Sequence, residues 1–521
     1  MKLRQSHLPT WLLIIGYPVF WGEMLLHPGS HTTFLAPVLF IGFTFWQLSK
    51  DFHRNHTDFH LLTGLNAIQC SWVILGGTLL LIGGFAALLP PHLGQELDAL
   101  NYHLSLPRQH LVLGTFAHLS WSTADLWLLP IQFALSPYWF CTTLPNKIPQ
   151  YIFLLGLLLI ARDIGKRTGL LSQGQWALLA ALVGSHGLAI QFGTAMIDLV
   201  IVYLALATLD SVLNGDWAFA AIESSFFVWS KSFMPLQIGL ILAGLGILVI
   251  AGHFVGFQWT MTFTKPLSKI QDWSWKSFGR AWVIGSLLIG GPFVLKSLYY
   301  AGTPLFPFRP FALEGRLGAN PSTKEAVINA AAAQRGTRDA YGRGRSLSSL
   351  ITHIWYVAVP EKGVNNDYDY PLGLPFLLVV GPFIFLFARS LRRHEVPVLA
   401  GLVILFWGTW WIGSQQSRWL YIPLALMLIT TFGVDWIAEN RYLTGALSVA
   451  LLLTTLSVLR AHLPDLRDPS QAVRYADRQL LEQSRQWSGP GPMPWESKEI
   501  AFAECPIEVQ SGSSYWILNK R

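Results

Sequence analysis

Residues 69–90 read QCSWVILGGTLLLIGGFAALLP, and residues 91–114 continue PHLGQELDALNYHLSLPRQHLVLG. The first stretch carries no charged side chain. At a rise of about 1.5 Å per residue, a helix of about 20 apolar residues crosses the roughly 30 Å hydrocarbon core of a bilayer. The second stretch brings Glu96, Asp98, Arg108 and the histidines His92, His103 and His110 back to the water boundary. Apolar runs of this kind recur near 11–27, 33–48, 150–163, 175–192, 196–213, 217–232, 235–252, 281–297, 372–389, 396–413, 419–436 and 442–460. With residues 69–90 they make about thirteen helical segments, and the chain reads as an all-α polytopic membrane protein.

Composition agrees. Of the 521 residues 52% are hydrophobic and 12% charged, whereas soluble domains carry about 25% charged residues. A soluble globular enzyme is thereby excluded. The net charge of +7 comes from lysines and arginines scattered in short loops rather than gathered on a polar domain, which argues against nucleic-acid binding and suits contact with membrane lipids. Cys70, Cys141 and Cys505 show no zinc-ligand spacing. Lys2 and Arg4 precede the first apolar run with no small-residue cleavage site after it, so that run reads as a retained span.

Short-loop cations set the orientation. Lys2, Arg4, Lys50, Arg54, Arg162, Lys166, Arg167, Lys265, Lys269, Lys276, Arg280, Arg389, Arg392 and Arg393 fall on one side of the thirteen-span arrangement, expected to be cytoplasmic. The chain then divides into N-terminal spans (1–90), a first outer loop (91–149), central spans (150–297), a second outer loop (298–371), C-terminal spans (372–460) and an outer tail (461–521). The N-terminus is expected in the cytoplasm and the C-terminus outside. Within the first loop, LPRQHLVLG and DLWLLPIQFAL alternate at near-helical spacing, which predicts amphipathic helices lying on the interface. Cys141 and Cys505 both fall on the outer, oxidising side, where a disulfide between them is one outcome.

Ionisable groups at membrane depth are costly and mark function. Asp98 and Tyr102 lie four residues apart and share a helical face, with Glu96 and His103 alongside. Asp98 suits a general base or a ligand for a hard cation, and equally a helix cap. Asp198 stands at the outer end of an apolar run, where a second carboxylate suits acid/base work, with an N-cap as the alternative. Lys231 sits in FFVWSKSFMPL and needs an anionic partner, a carboxylate or a phosphate, unless it snorkels. Lys296, Arg309, Arg316, Arg338, Arg343, Arg345 and Arg418 are further outer cations, suited to phosphate or to lipid headgroups. The scattered histidines read as structural.

Several of these residues lie in ordered motifs. DALNYHLSLPRQHLVLG (98–114), GTAMIDLVIVYLALATL (193–209), WSKSFMPL (229–236), KSLYYAGTPLFPF (296–308), DYPLGLPFLL (369–378) and SQQSRWLYIPLAL (414–426) follow one another in the chain. Together they resemble bacterial family 39-like integral membrane glycosyltransferases of the GT-C fold. The resemblance implies a GT-C-like bundle in the bacterial inner membrane. It implies an inverting enzyme that transfers a sugar from a polyprenyl-phosphate carrier to a glycan, lipid or protein acceptor on the periplasmic side. It places the catalytic role on Asp98 as acceptor-activating base and on Asp198 as second acid, with Glu96, Tyr102 and His103 nearby. Lys231, Lys296 and Arg418 would hold the carrier phosphate, and magnesium or manganese would be the metal if one is used; Glu96, Tyr102, His103 and the outer cation Arg343 are further substrate-binding candidates read from the residues. This chain has Thr303 between Gly302 and Pro304 where the family commonly has Asn, and Leu97 separates Glu96 from Asp98. A catalytically inactive relative serving as a scaffold in a membrane complex is the alternative; a transporter or flippase ranks last because the apolar runs are mostly free of charge.

Overall fold

The computed structural model describes residues 5–26, 35–52, 65–89, 96, 102–104, 106–107, 110–111, 114–119, 123–138, 147–263, 275–308, 341–342, 344–359 and 370–467. Each of the thirteen apolar runs contains helix where described, but they are not thirteen equal spans. Among the described residues, six helices are long and apolar enough to cross a membrane: the segment Gln5–Leu26, which holds α1 (Leu8–Leu26), then Ala67–Leu88, Ile148–Thr168, Met234–Val255, Leu374–Arg392 and Arg441–Pro464. A seventh span is made if Lys276–Ile289 and Gly291–Ala301, bent by 49° at Gly290, are counted as one. The bend coincides with Pro292 in the first turn of the second helix, where a proline is tolerated because its missing N–H would be unpaired anyway. The run expected at 175–192 breaks into Ser172–Gly184 and His186–Ala189. Helices such as Asp198–Leu213, Trp217–Val228 and Val398–Ile412 are short.

Asp198–Leu213 is the hub. It is buried over most of its circumference and packs between Ile148–Thr168 and Trp217–Val228, which in turn packs on Trp275–Ile289. Arg441–Arg467 lies on Ala67–Leu88 and on Ser172–Gly184. Met234–Val255 is at the periphery, its side chains mostly exposed and apolar all round, as a lipid-facing helix requires. Two three-residue strands, Gln258–Thr260 and Glu395–Pro397, pair in parallel and tie the helix ends beside them.

The stretch DLWLLPIQFAL does not lie on an interface as its alternation suggested. Its residues from Asp125 to Leu135 are buried, except for half-buried Trp127, and Pro130–Leu135 is a short helix seated on α1. Gly16 permits the seating, because a Cβ there would collide with the Ala134 carbonyl. Gly193 does the same for the loop leading to Asp198: with φ at +75°, it sits against the Gly83 carbonyl.

Buried polar groups concentrate at two ends of the bundle. Asp198 and Asp210 bracket one helix, which sets them about 18 Å apart along its axis. Asp210, Glu223, His7 and Arg167 meet at one end; Asp198, Lys231, Glu96, Lys147, Asp125 and Lys296 lie at the other, here termed the site end.

Candidate functional site

The helix Trp217–Val228 stops at Trp229, and the next begins at Met234 with Pro235 in its first turn. The break between them delivers Lys231 to the N-terminus of the hub helix. Lys231 Nζ donates to Asp198 Oδ1 at 2.6 Å, so the carboxylate is an ion-pair partner rather than a helix cap. The second oxygen, Oδ2, lies 3.9 Å from Arg418 Nη1 and accepts no hydrogen bond among the described residues. Arg418 enters from the short helix Ser417–Leu420, with its Nε and Nη2 on Gln416 Oε1. One buried carboxylate therefore holds two cations side by side, leaving the group with a net positive charge.

Buried amides with unmet capacity lie at the same end of the bundle. His103 lies near Asp198 and its Nδ1 meets Gln132 Nε2 at 2.9 Å. Gln132 Oε1, Gln191 Oε1 and both amide atoms of Gln150 have no partner among the described residues although all three side chains are buried. Such groups are costly in an apolar interior unless hydrogen-bonded, so each suits a place where a polar ligand or water is accommodated. Tyr102 stacks edge-on to Trp127, with ring centroids 5.0 Å apart.

Glu96 is engaged within the protein. It is buried, takes a hydrogen bond from Lys147 Nζ at 2.8 Å and another from the Ala195 N–H at 2.6 Å, fixing the loop before Asp198 to the start of the Ile148–Thr168 helix. Lys296 departs most from expectation. Its side chain is 3% exposed, and its Nζ donates to Asp125 Oδ1 at 2.6 Å and lies 4.5 Å from the centre of the Phe116 ring. It is thus ion-paired inside the protein. Arg345 binds the carbonyls of Ile412 and Gly413. Asp98, Arg343, Cys141 and Cys505 lie outside the described residues, so their assignments rest on sequence.

Sequence reading missed Asp125, His110, His118 and Lys147. Asp125 Oδ1 contacts His110 Nε2 at 2.6 Å; Oδ2 takes His118 Nδ1 at 3.1 Å and the Leu119 N–H at 2.7 Å. Burial alone would raise the Asp125 carboxyl, but His110 and Lys296 beside it outweigh burial and hold it well below the ordinary carboxylate range. Asp125 connects to the Asp198 group through its own segment, since the Leu128 N–H donates to Ser232 Oγ, next to Lys231, and Gln132 reaches His103. Only the lone Asp in an otherwise apolar run hinted at this in the sequence.

The site end offers a divalent cation little. Glu96, Asp125 and Asp198 are each already paired with a lysine, and among the described residues no three His, Cys, Asp or Glu side chains converge as a metal site. No family model matches the sequence, and no curated protein or solved structure matches the chain.

Proposed function

We propose that the chain is a membrane glycosyltransferase that moves a sugar from a polyprenyl-phosphate carrier to an acceptor at the site end of the bundle. The observation that carries this reading is the pair of cations, Lys231 and Arg418, assembled around Asp198 with Oδ2 unbonded among the described residues. Two cations on one carboxylate suit a lipid phosphate that leaves with its electron pair, because a preformed cationic cradle stabilises the charge that develops on departure. The unmet amide groups of Gln132, Gln150 and Gln191 match a polyhydroxyl ligand, which both donates and accepts. Arg162, Lys166 and Arg167 fall near the end of a helix that starts at the site end, as do Arg389, Arg392 and Arg393. By the excess of cations on cytoplasmic loops, this distribution favours a site end that faces away from the cytoplasm, where the bacterial periplasm would be.

A second reading has one observation in its favour. Lys231 and Lys296 are both closed onto carboxylates at 2.6 Å, as they would be in a scaffold subunit that no longer binds a carrier. Binding separates the two readings. Purified protein in nanodiscs should retain undecaprenyl phosphate through washing, and Arg418→Gln should weaken retention at least tenfold, the loss of one charge-assisted contact of about 1.5–3 kcal/mol. Equal weak retention by wild type and variant supports the scaffold instead.

A further inference from the structure

Each site-end carboxylate meets a lysine, but Asp125 meets more than its charge requires. Lys296 already neutralises it, yet two imidazoles converge on the same carboxylate. His110 is engaged on both sides, with Nδ1 on the Thr115 carbonyl at 2.7 Å and Nε2 on Asp125 Oδ1 at 2.6 Å. His118 is not. Its Nδ1 meets Asp125 Oδ2 at 3.1 Å, and its Nε2 makes no hydrogen bond among the described residues. A carboxylate accepts only, so Nδ1 carries the proton, and Nε2 of this side chain, 6% exposed, presents a lone pair whenever the ring is neutral. This is an imidazole whose tautomer and orientation are fixed by a buried acid, the arrangement that makes a histidine an effective base. The groups facing it are Asp125 and, 5.4 Å away between ring centroids, Tyr300; behind Asp125 stand His110 and Lys296. An aromatic wall beside a base suits a sugar or another acceptor with an apolar face.

We infer that His118 is the acid/base residue that deprotonates the acceptor hydroxyl, with Asp125 as its positioning residue; this rests on the glycosyl-transfer reading and moves the base from Asp98 to His118. Nε2 takes the hydroxyl proton as the acceptor oxygen bonds to the sugar C1. The C1–O bond to phosphate breaks, and the electron pair leaves on the carrier phosphate beside Lys231 and Arg418. The imidazolium so formed keeps its Nδ1–H hydrogen bond to Asp125 Oδ2.

Two measurements test this. In purified full-length protein, diethyl pyrocarbonate followed by peptide mass spectrometry should modify His118 and the exposed control His394, and spare His110, which is 0% exposed and bonded through both nitrogens. An unmodified His118 beside a modified His394 overturns the inference, whatever any variant does. In a deletion strain, complementation with wild type, His118→Gln and the exposed control His394→Gln at matched membrane levels is read by mass spectrometry of envelope glycans. The expected result is restoration by wild type and by His394→Gln, with His118→Gln at least a hundredfold lower, as loss of a general base commonly costs. Full restoration by His118→Gln overturns the inference alone; no glycan change with wild type overturns the glycosyl-transfer reading itself.

Discussion

Replacing Lys296 with Met keeps the apolar stem of the side chain and removes its charge, leaving Asp125 buried with two imidazoles and a backbone N–H. Both partners of this ion pair are almost fully buried, at 3% and 0% exposure. Breaking a pair of that kind from one side typically costs about 3–5 kcal/mol, because the remaining charge stays desolvated without its counter-ion. Much of that cost is the stranded carboxylate rather than the worth of the pair. Adding Asp125→Asn should therefore recover about 2 kcal/mol or more, as a double-mutant cycle between contacting groups reports. Unfolding by SDS in mixed micelles, followed by tryptophan fluorescence, measures the four proteins of the cycle. A Lys296→Met cost below about 1 kcal/mol, or a double variant as unstable as the sum of the singles, would refute the burial of this pair.

Three further outcomes follow from the packing. Because the Asp125 carboxyl is held below its ordinary value of 3.8, its stabilisation is complete above that value and is lost only as pH falls through the lower, folded one. Melting of the wild type should show no loss from this group between pH 7 and about pH 4, and Asp125→Asn should show a shallower decline below that range; an equal decline in both counts against it. Gly16→Ala should cost about 1–3 kcal/mol by clashing with the Ala134 carbonyl, while Gly22→Ala, with nothing within 4 Å, should be neutral or stabilise by about 0.5–1 kcal/mol. Equal melting temperatures for the two would contradict the seating of Pro130–Leu135 on α1. At the opposite end, His7 Nδ1 meets Glu223 at 2.8 Å and His7 Nε2 meets Asp210 at 2.9 Å, both carboxylates 0% exposed; His7→Phe should lower membrane levels severalfold on immunoblots, and wild-type levels would refute the bridge.

The helices were legible because apolar runs bounded by charge have few other physical solutions in a bilayer. Their lengths were less so: tertiary packing ended Ser172–Gly184 early and buried 125–135, since periodicity does not distinguish an interfacial face from one covered by a neighbour. Asp198 and Lys231 stood out as charges in apolar surroundings, and their pairing across 33 residues follows from consecutive antiparallel helices. The Asp125 group did not stand out. Its lysine is 171 residues away and its histidines are 15 and 7 residues before it, spacings that match no local motif. Only the fold brings them together.

The central claim, sugar transfer at a cationic centre built on Asp198, is tested most directly by the envelope glycan profile of a deletion strain carrying either wild type or Lys231→Met at equal membrane levels. Glycosyl transfer predicts that a sugar missing from the deletion returns with wild type and stays at least tenfold reduced with Lys231→Met, whose lost phosphate contact is worth about 1.5–3 kcal/mol. An unchanged glycan profile on deletion, or full restoration by Lys231→Met, would contradict it.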